Sequence, residues 1–474
     1  MTEELEQNLI DAQFELLLHE KDMQKLQEFL NGLNISDVVE LVDRYPEEGA
    51  QVLSNMAIHR ASSVFKLLDL AIQKVVVQDM APYKSAELLN DLSPDDRIDF
   101  LEELPKSVLR DLIKLLNPDE LKITLRMLGY PEDSVGRLMT PDYIYVYEND
   151  DVAEAFRVIR KNGKNSETID VIYVINKKGE LVDDFRIRDL ILARPETKIG
   201  ELMDGRIISL NVNDDQEQAS QIFRMNNRVA LPVTDDNNIL LGIVTVDDIL
   251  WVANEEFSED MQKMGGTEAL DEPYLDTPFF KLIRKRAPWL IILFLSEMLT
   301  TTAMTYFSKE LEQAIVLSLF VPLVMSSGGN SGSQASTLII QAMAVGDITL
   351  KDWWRIMRRE IFSGLTLGII LGVIGFGRVS LWQWFHHIGW MEFTYGTHWL
   401  LLAFTIGLSL IGIILWGSLA GSMLPIILKK CGADPAASSA PFVATLVDVT
   451  GIIIYFSTAY FVLGSLLQSG ALNH

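Results

Sequence analysis

Pro441, Ala444, Thr445, Asp448 and Gly451 recur at three- and four-residue intervals in an otherwise apolar run from Asp434 to Leu467, so a helix would set all five on one face. Asp448 is the last acid in the chain. A carboxylate near a bilayer centre costs roughly 2.5–3.5 kcal/mol even on lenient insertion scales, which marks it as a candidate ion or proton site. Counted from Ala436 at the helical rise, it lies roughly 18 Å along its helix, near mid-membrane. Asp448, Ala444 and Thr445 form the candidate pore-metal group, with Pro441, Gly451 and Asp434 as further lining residues. A second polar stretch, Ser326 to Gln334, stands inside another apolar segment and follows Pro322. Its Gly329, Asn330 and Ser331 would let the helix break or a neighbouring backbone approach, with amides and hydroxyls lining a wet cavity. A small-residue helix-packing patch would use the same residues. Glu297, followed by Thr300, Thr301 and Thr302, is either a pore ligand or hydrogen-bonded structure. Arg378 offers Asp448 an ion-pair partner at comparable depth, or it snorkels to the outer interface.

Carboxylate, hydroxyl, carbonyl and water oxygens suit hard cations, and a site with few protein ligands and retained water suits Mg²⁺ better than Ca²⁺. One aspartate per chain cannot make a cage. A symmetric dimer would bring two such acids to one axis, where a hydrated divalent cation balances them.

The elements that position these residues divide sharply by charge. Residues 1–276 carry 56 acids against 28 Lys and Arg, whereas residues 277–474 carry 9 against 12. A cytoplasmic part this acidic repels nucleic acid and anionic lipid and accumulates cations. Cys431 is the single cysteine, which excludes an intrachain disulfide framework. No signal-peptide pattern opens the sequence, so Met1 is expected to begin the mature protein. Five apolar stretches, near 288–307, 312–343, 361–385, 398–428 and 436–467, are long enough to span a bilayer. Basic residues cluster before the first (Lys281, Arg284, Lys285, Arg286), between the second and third (Lys351, Arg355, Arg358, Arg359) and between the fourth and fifth (Lys429, Lys430). Between the other spans Lys309 is the single Lys or Arg. The positive-inside rule then predicts a multi-pass cell-membrane protein with a cytoplasmic N-terminal part and its C-terminus outside.

Ahead of the membrane part, residues 1–135 predict an all-α superhelical domain of short amphipathic helices, punctuated by Pro82, Pro94, Pro105 and Pro118. Ser93-Pro94-Asp95-Asp96 typifies the unit, with a serine N-cap, proline at the first helical position and acids at the positive helix end. From 136 to about 254 a βαββα unit occurs twice, at 136–200 and 201–254, with Asp189 and Asp248 at equivalent positions 59 residues apart. An acidic connecting helix and linker occupy 247–276, and 277–474 hold the five-helix membrane domain. Asp247, Asp248, Glu255, Glu256, Glu259 and Asp260 place six acids on the connecting helix. With Asp95 and Asp96 of the helical domain and Asp214, Asp215 and Glu217 of the second repeat, they are candidate regulatory metal ligands. Cations bound only by a compact state would shift the population toward it.

Gly136 to Pro141, Leu231-Pro232-Val233 and Gly242 to Asp248 give the repeats a resemblance to a tandem pair of CBS modules. The resemblance implies α+β modules that pair into discs, with Thr245 and Asp248 meeting the ribose of ATP or another adenine nucleotide. In the first module Asp183 and Arg186 replace the expected Gly and Thr, which departs from that nucleotide site. Gly329-Asn330-Ser331-Gly332-x-Gln334-x-x-Thr337-Leu338, Asp434-Pro435-Ala436, Pro441 to Thr445, Asp448 and Gly451 resemble the MgtE family of magnesium channels, as does the domain order over essentially the whole chain. Gln341 stands where that family often has Arg. The resemblance implies a homodimer with a central pore, Asp448 of each subunit meeting hydrated Mg²⁺, and a connecting "plug" helix that closes the pore when cytoplasmic Mg²⁺ accumulates. Two other readings fit the residues, a proton- or sodium-coupled divalent-cation transporter in which Asp448 titrates and a non-conducting membrane nucleotide sensor. An enzyme is not expected, because the histidines are scattered and no nucleophile–base grouping or phosphate loop occurs.

Overall fold

After the longer helix Thr2–Glu20, short helices fill the N-terminal part, several with proline at the first turn, as in Pro82–Asp91, Pro94–Glu102 and Pro118–Met127. The computed structural model describes residues 2–20, 22–270, 273–275, 277–308 and 315–469. Lys309 lies outside these residues, as do parts of the expected linker (271, 272, 276), the start of the expected second span (312–314) and the C-terminal residue. The described chain forms two units, Met1–Ala253 and Asn254–His474.

In the first unit, apolar residues at three- and four-residue spacing bury one stripe of each short helix, among them Leu41, Val42, Phe65, Val76, Leu88, Leu89 and Leu101. Close stacking leaves no room at Gly49, where a Cβ would lie 2.8 Å from Val76 Cγ2. Arg97, 1% exposed, ties three helices together. Its guanidinium donates to Leu89 O and Leu92 O, both at 2.8 Å, and to Thr124 Oγ1 at 3.1 Å, and it pairs with Glu120 at 2.6 Å. These bonds satisfy carbonyls that the end of Pro82–Asp91 leaves open. Ser93 holds the expected N-cap position of Pro94–Glu102 without accepting a backbone N–H. Its hydroxyl instead donates to the Asp96 carboxylate, because a charge-assisted bond outcompetes the neutral cap.

The repeat is visible atom by atom. Strands β1 (Tyr145–Tyr147), β2 (Val171–Ile175) and β3 (Leu181–Arg186) form one sheet, and β4 (Leu210–Asn211), β5 (Ala230–Thr234) and β6 (Leu240–Thr245) form the other, each in sequential order. The pairing Val171 with Arg186 in β2–β3 becomes Ala230 with Thr245 in β5–β6, and Ile175 with Leu181 becomes Thr234 with Leu240. The hairpin position with positive φ is Gly179 (84°) in the first module and Asn238 (61°) in the second, the two residue types that tolerate it. Here the modules join by reciprocal bonds, Leu181 N to Asn238 O at 2.9 Å and Leu240 N to Gly179 O at 3.0 Å. Tyr173, Leu181, Ala230, Leu240 and Ile243 fill the core between them.

In the second unit, Phe279–Tyr306, Ile315–Ala344, Leu350–His387, Trp399–Lys430 and Ala440–Gly464 are long and apolar enough to cross a membrane. The first and third helices begin earlier than hydropathy indicates and carry Lys281 to Arg286 and Arg355 to Arg359 on their opening turns. Long basic residues are good helix formers whose apolar stems carry the charge toward water, so loss of hydropathy does not end the helix. The fifth begins later: Pro435–Ala437 is a 3₁₀ turn and regular helix starts at Ala440. Glycines weld the third and fourth helices. A Cβ at Gly368 would lie 2.9 Å from Ile411 Cα, and one at Gly372 would lie 2.8 Å from Gly407 O. Such backbone-to-backbone approach gains dispersion contacts where no hydrophobic effect drives helices together.

Candidate functional site

Asp448 stands on the second full turn of its helix. Eight residues separate it from Ala440, roughly 12 Å at the helical rise, rather than the depth counted from Ala436. The reason is local, since Ser438 donates to Pro435 O (2.7 Å) and Ser439 accepts from Phe442 N (3.4 Å), turning the chain before it becomes regular.

The polar stretch of the second span does not break its helix, which runs unbroken over Val321–Ala344. Its glycines admit neighbours instead. A Cβ at Gly329 would lie 3.3 Å from Ala444 Cβ and 3.6 Å from Asp448 Oδ1, so the carboxylate rests against bare backbone. Gly328 and Gly332 receive Val443, Val447 and the backbone of Gly417, while a Cβ at Gly451 would lie 3.2 Å from the Met325 sulfur. Hydroxyls bind the bundle: Ser331 Oγ to Ser418 Oγ (2.9 Å), Ser333 Oγ to Ala440 O (2.9 Å) and Ser336 Oγ to Ser438 O (2.8 Å). Thr445 donates to Pro441 O within its own helix at 2.9 Å. Asn330 remains exposed beside this face, and Asp448, Ala444, Thr445 and Pro441 are half-buried. The second-span glycines thus pack helices and cradle the acid at once. Glu297 is exposed on the first span, within electrostatic range of Asp448. Arg378 stacks over the Trp382 ring, and among the described residues no basic side chain pairs with Asp448. The ion-pair alternative therefore has no partner here.

At the foot of the fifth helix, Asp434 Oδ1 caps the 3₁₀ turn through Ala436 N at 2.8 Å, while Oδ2 receives Lys263 Nζ at 2.7 Å. Lys263 belongs to the connecting helix Val246–Met264 and also pairs with Glu259. Burial alone would favour the neutral amine, but the two carboxylates outweigh it and raise its pKa. Just beyond, Gly266 (φ 76°) lies under Trp289, whose indole N–H donates to Ser439 Oγ at 3.1 Å. The end of the connecting helix is thereby bonded to the start of the helix that carries Asp448. Glu255 is exposed on this helix, and Glu256, Glu259 and Asp260 are half-buried.

In the first unit the structure gathers Asp95, Asp96 and Asp248, with Asp247 and Glu167 in electrostatic range. Asp95 is 5% exposed, and among the described residues its Oδ1 has no hydrogen-bond partner. Burial, then the charges of Asp248 and Asp96, push its carboxyl well above the ordinary aspartate range. Burial and the Asp247 and Asp96 charges likewise push Asp248 up to about 6, against a lowering bond from the Thr245 hydroxyl. That bond is 2.6 Å and joins the two residues expected to meet a ribose. Arg186 and Asp189 repeat the geometry in the first module through Arg186 N and Asp189 Oδ2 at 3.2 Å. Asp214, Asp215 and Glu217 make local bonds to Asn211 N, Glu217 N and Gln221 Nε2 rather than joining Asp95. Sequence spacing could not reveal Lys66, whose Nζ reaches Asp96 Oδ2 at 3.1 Å, nor Glu167, because both meet this group only through tertiary folding. Among the described residues no three carboxylate, imidazole or thiol side chains converge as a complete metal cage.

The raised values set a sign. A carboxyl with a higher pKa folded than unfolded favours the folded arrangement at low pH, and that advantage disappears as pH rises, for Asp248 between 3.8 and about 6. Hydrogen exchange across Pro94–Glu102 of the full-length protein in EDTA, corrected for intrinsic rate, should show greater protection at pH 5 than at pH 7.5. Equal protection would contradict this burial of charge.

Family models match along the chain: an MgtE intracellular N domain over residues 33–133, CBS domains over 135–196 and 199–255, and the MgtE divalent cation transporter domain over 321–458. A magnesium transporter MgtE of Thermus thermophilus is 35% identical over 457 residues, covering 93% of this chain and 96% of that protein. Another, from Bacillus subtilis, is 29% identical over 445 residues, covering 94% and 95%. A crystal structure of the soluble part of a magnesium transporter matches with a TM-score of 0.50 and 29% identity, covering 53% of this chain and 99% of that one. An intramembrane carboxylate cradled by glycine, a tandem CBS pair, a helical N-terminal domain and this end-to-end similarity lead to one conclusion: the chain belongs to the MgtE family of divalent cation transporters.

Proposed function

We propose that the chain is one subunit of a homodimeric magnesium channel of the cell membrane, with its N-terminal domains in the cytoplasm and its C-terminus outside. The observation that carries this reading is Asp448, a half-buried carboxylate on a small-residue helix face, set against Gly329 and without a basic partner among the described residues. A carboxylate there without a basic partner suits a cation, and its twin in a second subunit would supply the charge to balance a divalent ion that keeps its water. Similarity to magnesium transporters over nearly the full length supports Mg²⁺ as the cargo.

Closure follows from the acidic cytoplasmic half. Mg²⁺ binding to acids of the helical domain (Asp95, Asp96), the second module (Asp214, Asp215, Glu217) and the connecting helix (Asp247, Asp248, Glu255, Glu256, Glu259, Asp260) favours a closed state. The buried, unpartnered Asp95 Oδ1 supports part of this set, being an acceptor that a hydrated cation would satisfy. An adenine nucleotide at Thr245 and Asp248 would place a ribose hydroxyl on the carboxylate that already accepts the Thr245 hydroxyl, and so compete with a cation for Asp248.

Uptake of Mg²⁺ into liposomes containing the purified protein should persist when sodium and proton gradients are both collapsed. Loss of flux under those conditions would favour the coupled transporter in which Asp448 titrates.

A further inference from the structure

We infer that Lys66 is a built-in counter-ion of the acidic seam between the helical domain and the second CBS module, a tethered ammonium that shares with Mg²⁺ the neutralisation of Asp95, Asp96 and Asp248 and sets how far the seam holds without metal. The inference rests on the regulatory reading proposed above and names a residue that tunes it. Lys66 closes the helix Ile58–Phe65, and its backbone N–H bonds to Ser62 O at 3.1 Å, so the base of the side chain is fixed. Its Nζ lies 3.1 Å from Asp96 Oδ2, with 35% of the lysine side chain and 17% of the aspartate side chain exposed. Asp95 and Glu167 act on the same ammonium.

An ordinary surface pair matches one cation with one anion and contributes little. Here one ammonium faces several carboxylates. Among the described residues its ion pair is with Asp96, while the buried Asp95 Oδ1 has no partner there and Asp248 bonds to Thr245. A compact divalent ion can meet that remaining negative charge, whereas the single charge of the ammonium is placed at Asp96. Removing Lys66 therefore shifts the whole task of neutralisation to Mg²⁺, and the seam becomes more metal-dependent.

Hydrogen exchange of the full-length protein over Pro94–Glu102 tests this with MgCl₂ or EDTA as the only variable. Lys66→Met should raise exchange there roughly ten-fold in EDTA, the size expected for losing a hydrogen bond to a charged group, and saturating Mg²⁺ should restore the unaltered rate. Lys66→Arg should behave as the unaltered protein in both conditions. If Mg²⁺ protects the unaltered protein and Lys66→Met exchanges identically to it, Lys66 is no counter-ion although the regulatory reading stands. If Lys66→Met loosens the seam and Mg²⁺ fails to restore it, the lysine is a structural pair and the inference fails. No Mg²⁺ effect on the unaltered protein would remove both.

Discussion

Asp448→Ala should abolish Mg²⁺ uptake in a cell lacking its own magnesium transport while leaving dimeric, membrane-inserted protein. The expected loss exceeds about 100-fold, because Asp448 and its twin supply the charge that balances the hydrated ion, and losing that charge costs more than losing a partner that only orients a ligand, worth 10–100-fold. Asp448→Asn separates charge from shape. Asparagine fills the same space against Gly329 and keeps an oxygen there, so an equal loss assigns the effect to the negative charge. Folding should survive, since no hydrogen bond or ion pair to Asp448 holds the bundle among the described residues. Contacts such as Ser333 to Ala440 O and Ser336 to Ser438 O do that instead. Wild-type uptake by either variant, at equal surface abundance, would remove the pore assignment.

Replacing Asp247, Asp248, Glu255, Glu256, Glu259 and Asp260 by their amides should leave the channel open at high internal Mg²⁺. Moving a two-state equilibrium from 1:99 to 99:1 takes about 5.5 kcal/mol of differential binding. Shared among six acids, that is about 1 kcal/mol each, or roughly a five-fold shift in half-inhibitory Mg²⁺ per acid. A single Glu255→Gln change should therefore move the inhibition curve modestly, whereas the full set should abolish inhibition over the accessible range. Amides retain the helix and the hydrogen-bonding shape, so a gross loss of fold is not the expected cause. Unchanged inhibition in the six-fold variant would refute this gate.

What the sequence made legible was whatever depends on local periodicity. The 59-residue repeat could be read because identical hairpins need the same alternation and the same positive-φ turn, met by Gly179 and Asn238. The small-residue stripe around Asp448 could be read because helical spacing alone defines a face. Helix ends were less legible. Pro435 to Ser439 is as small and apolar as the helix after it, yet two serine hydroxyls bond to the backbone and delay regular structure to Ala440. Charged opening turns such as Lys281 to Arg286 look like loops by hydropathy although they are good helix. Least legible were tertiary partners. Nothing in the spacing of Lys66, Lys263 or Arg97 says that they bond to Asp96, Asp434 and Glu120, because each partner arrives from another helix. The same holds for Gly368 and Gly372, whose purpose appears only when the fourth helix lies against them.

The most direct test of a magnesium path closed by its own ion is an excised patch with Mg²⁺ varied on the cytoplasmic face. The account predicts Mg²⁺-carried current at low cytoplasmic Mg²⁺, falling reversibly toward zero as cytoplasmic Mg²⁺ rises and returning when the ion is washed away. A current indifferent to cytoplasmic Mg²⁺, or no Mg²⁺ current at all, would contradict it.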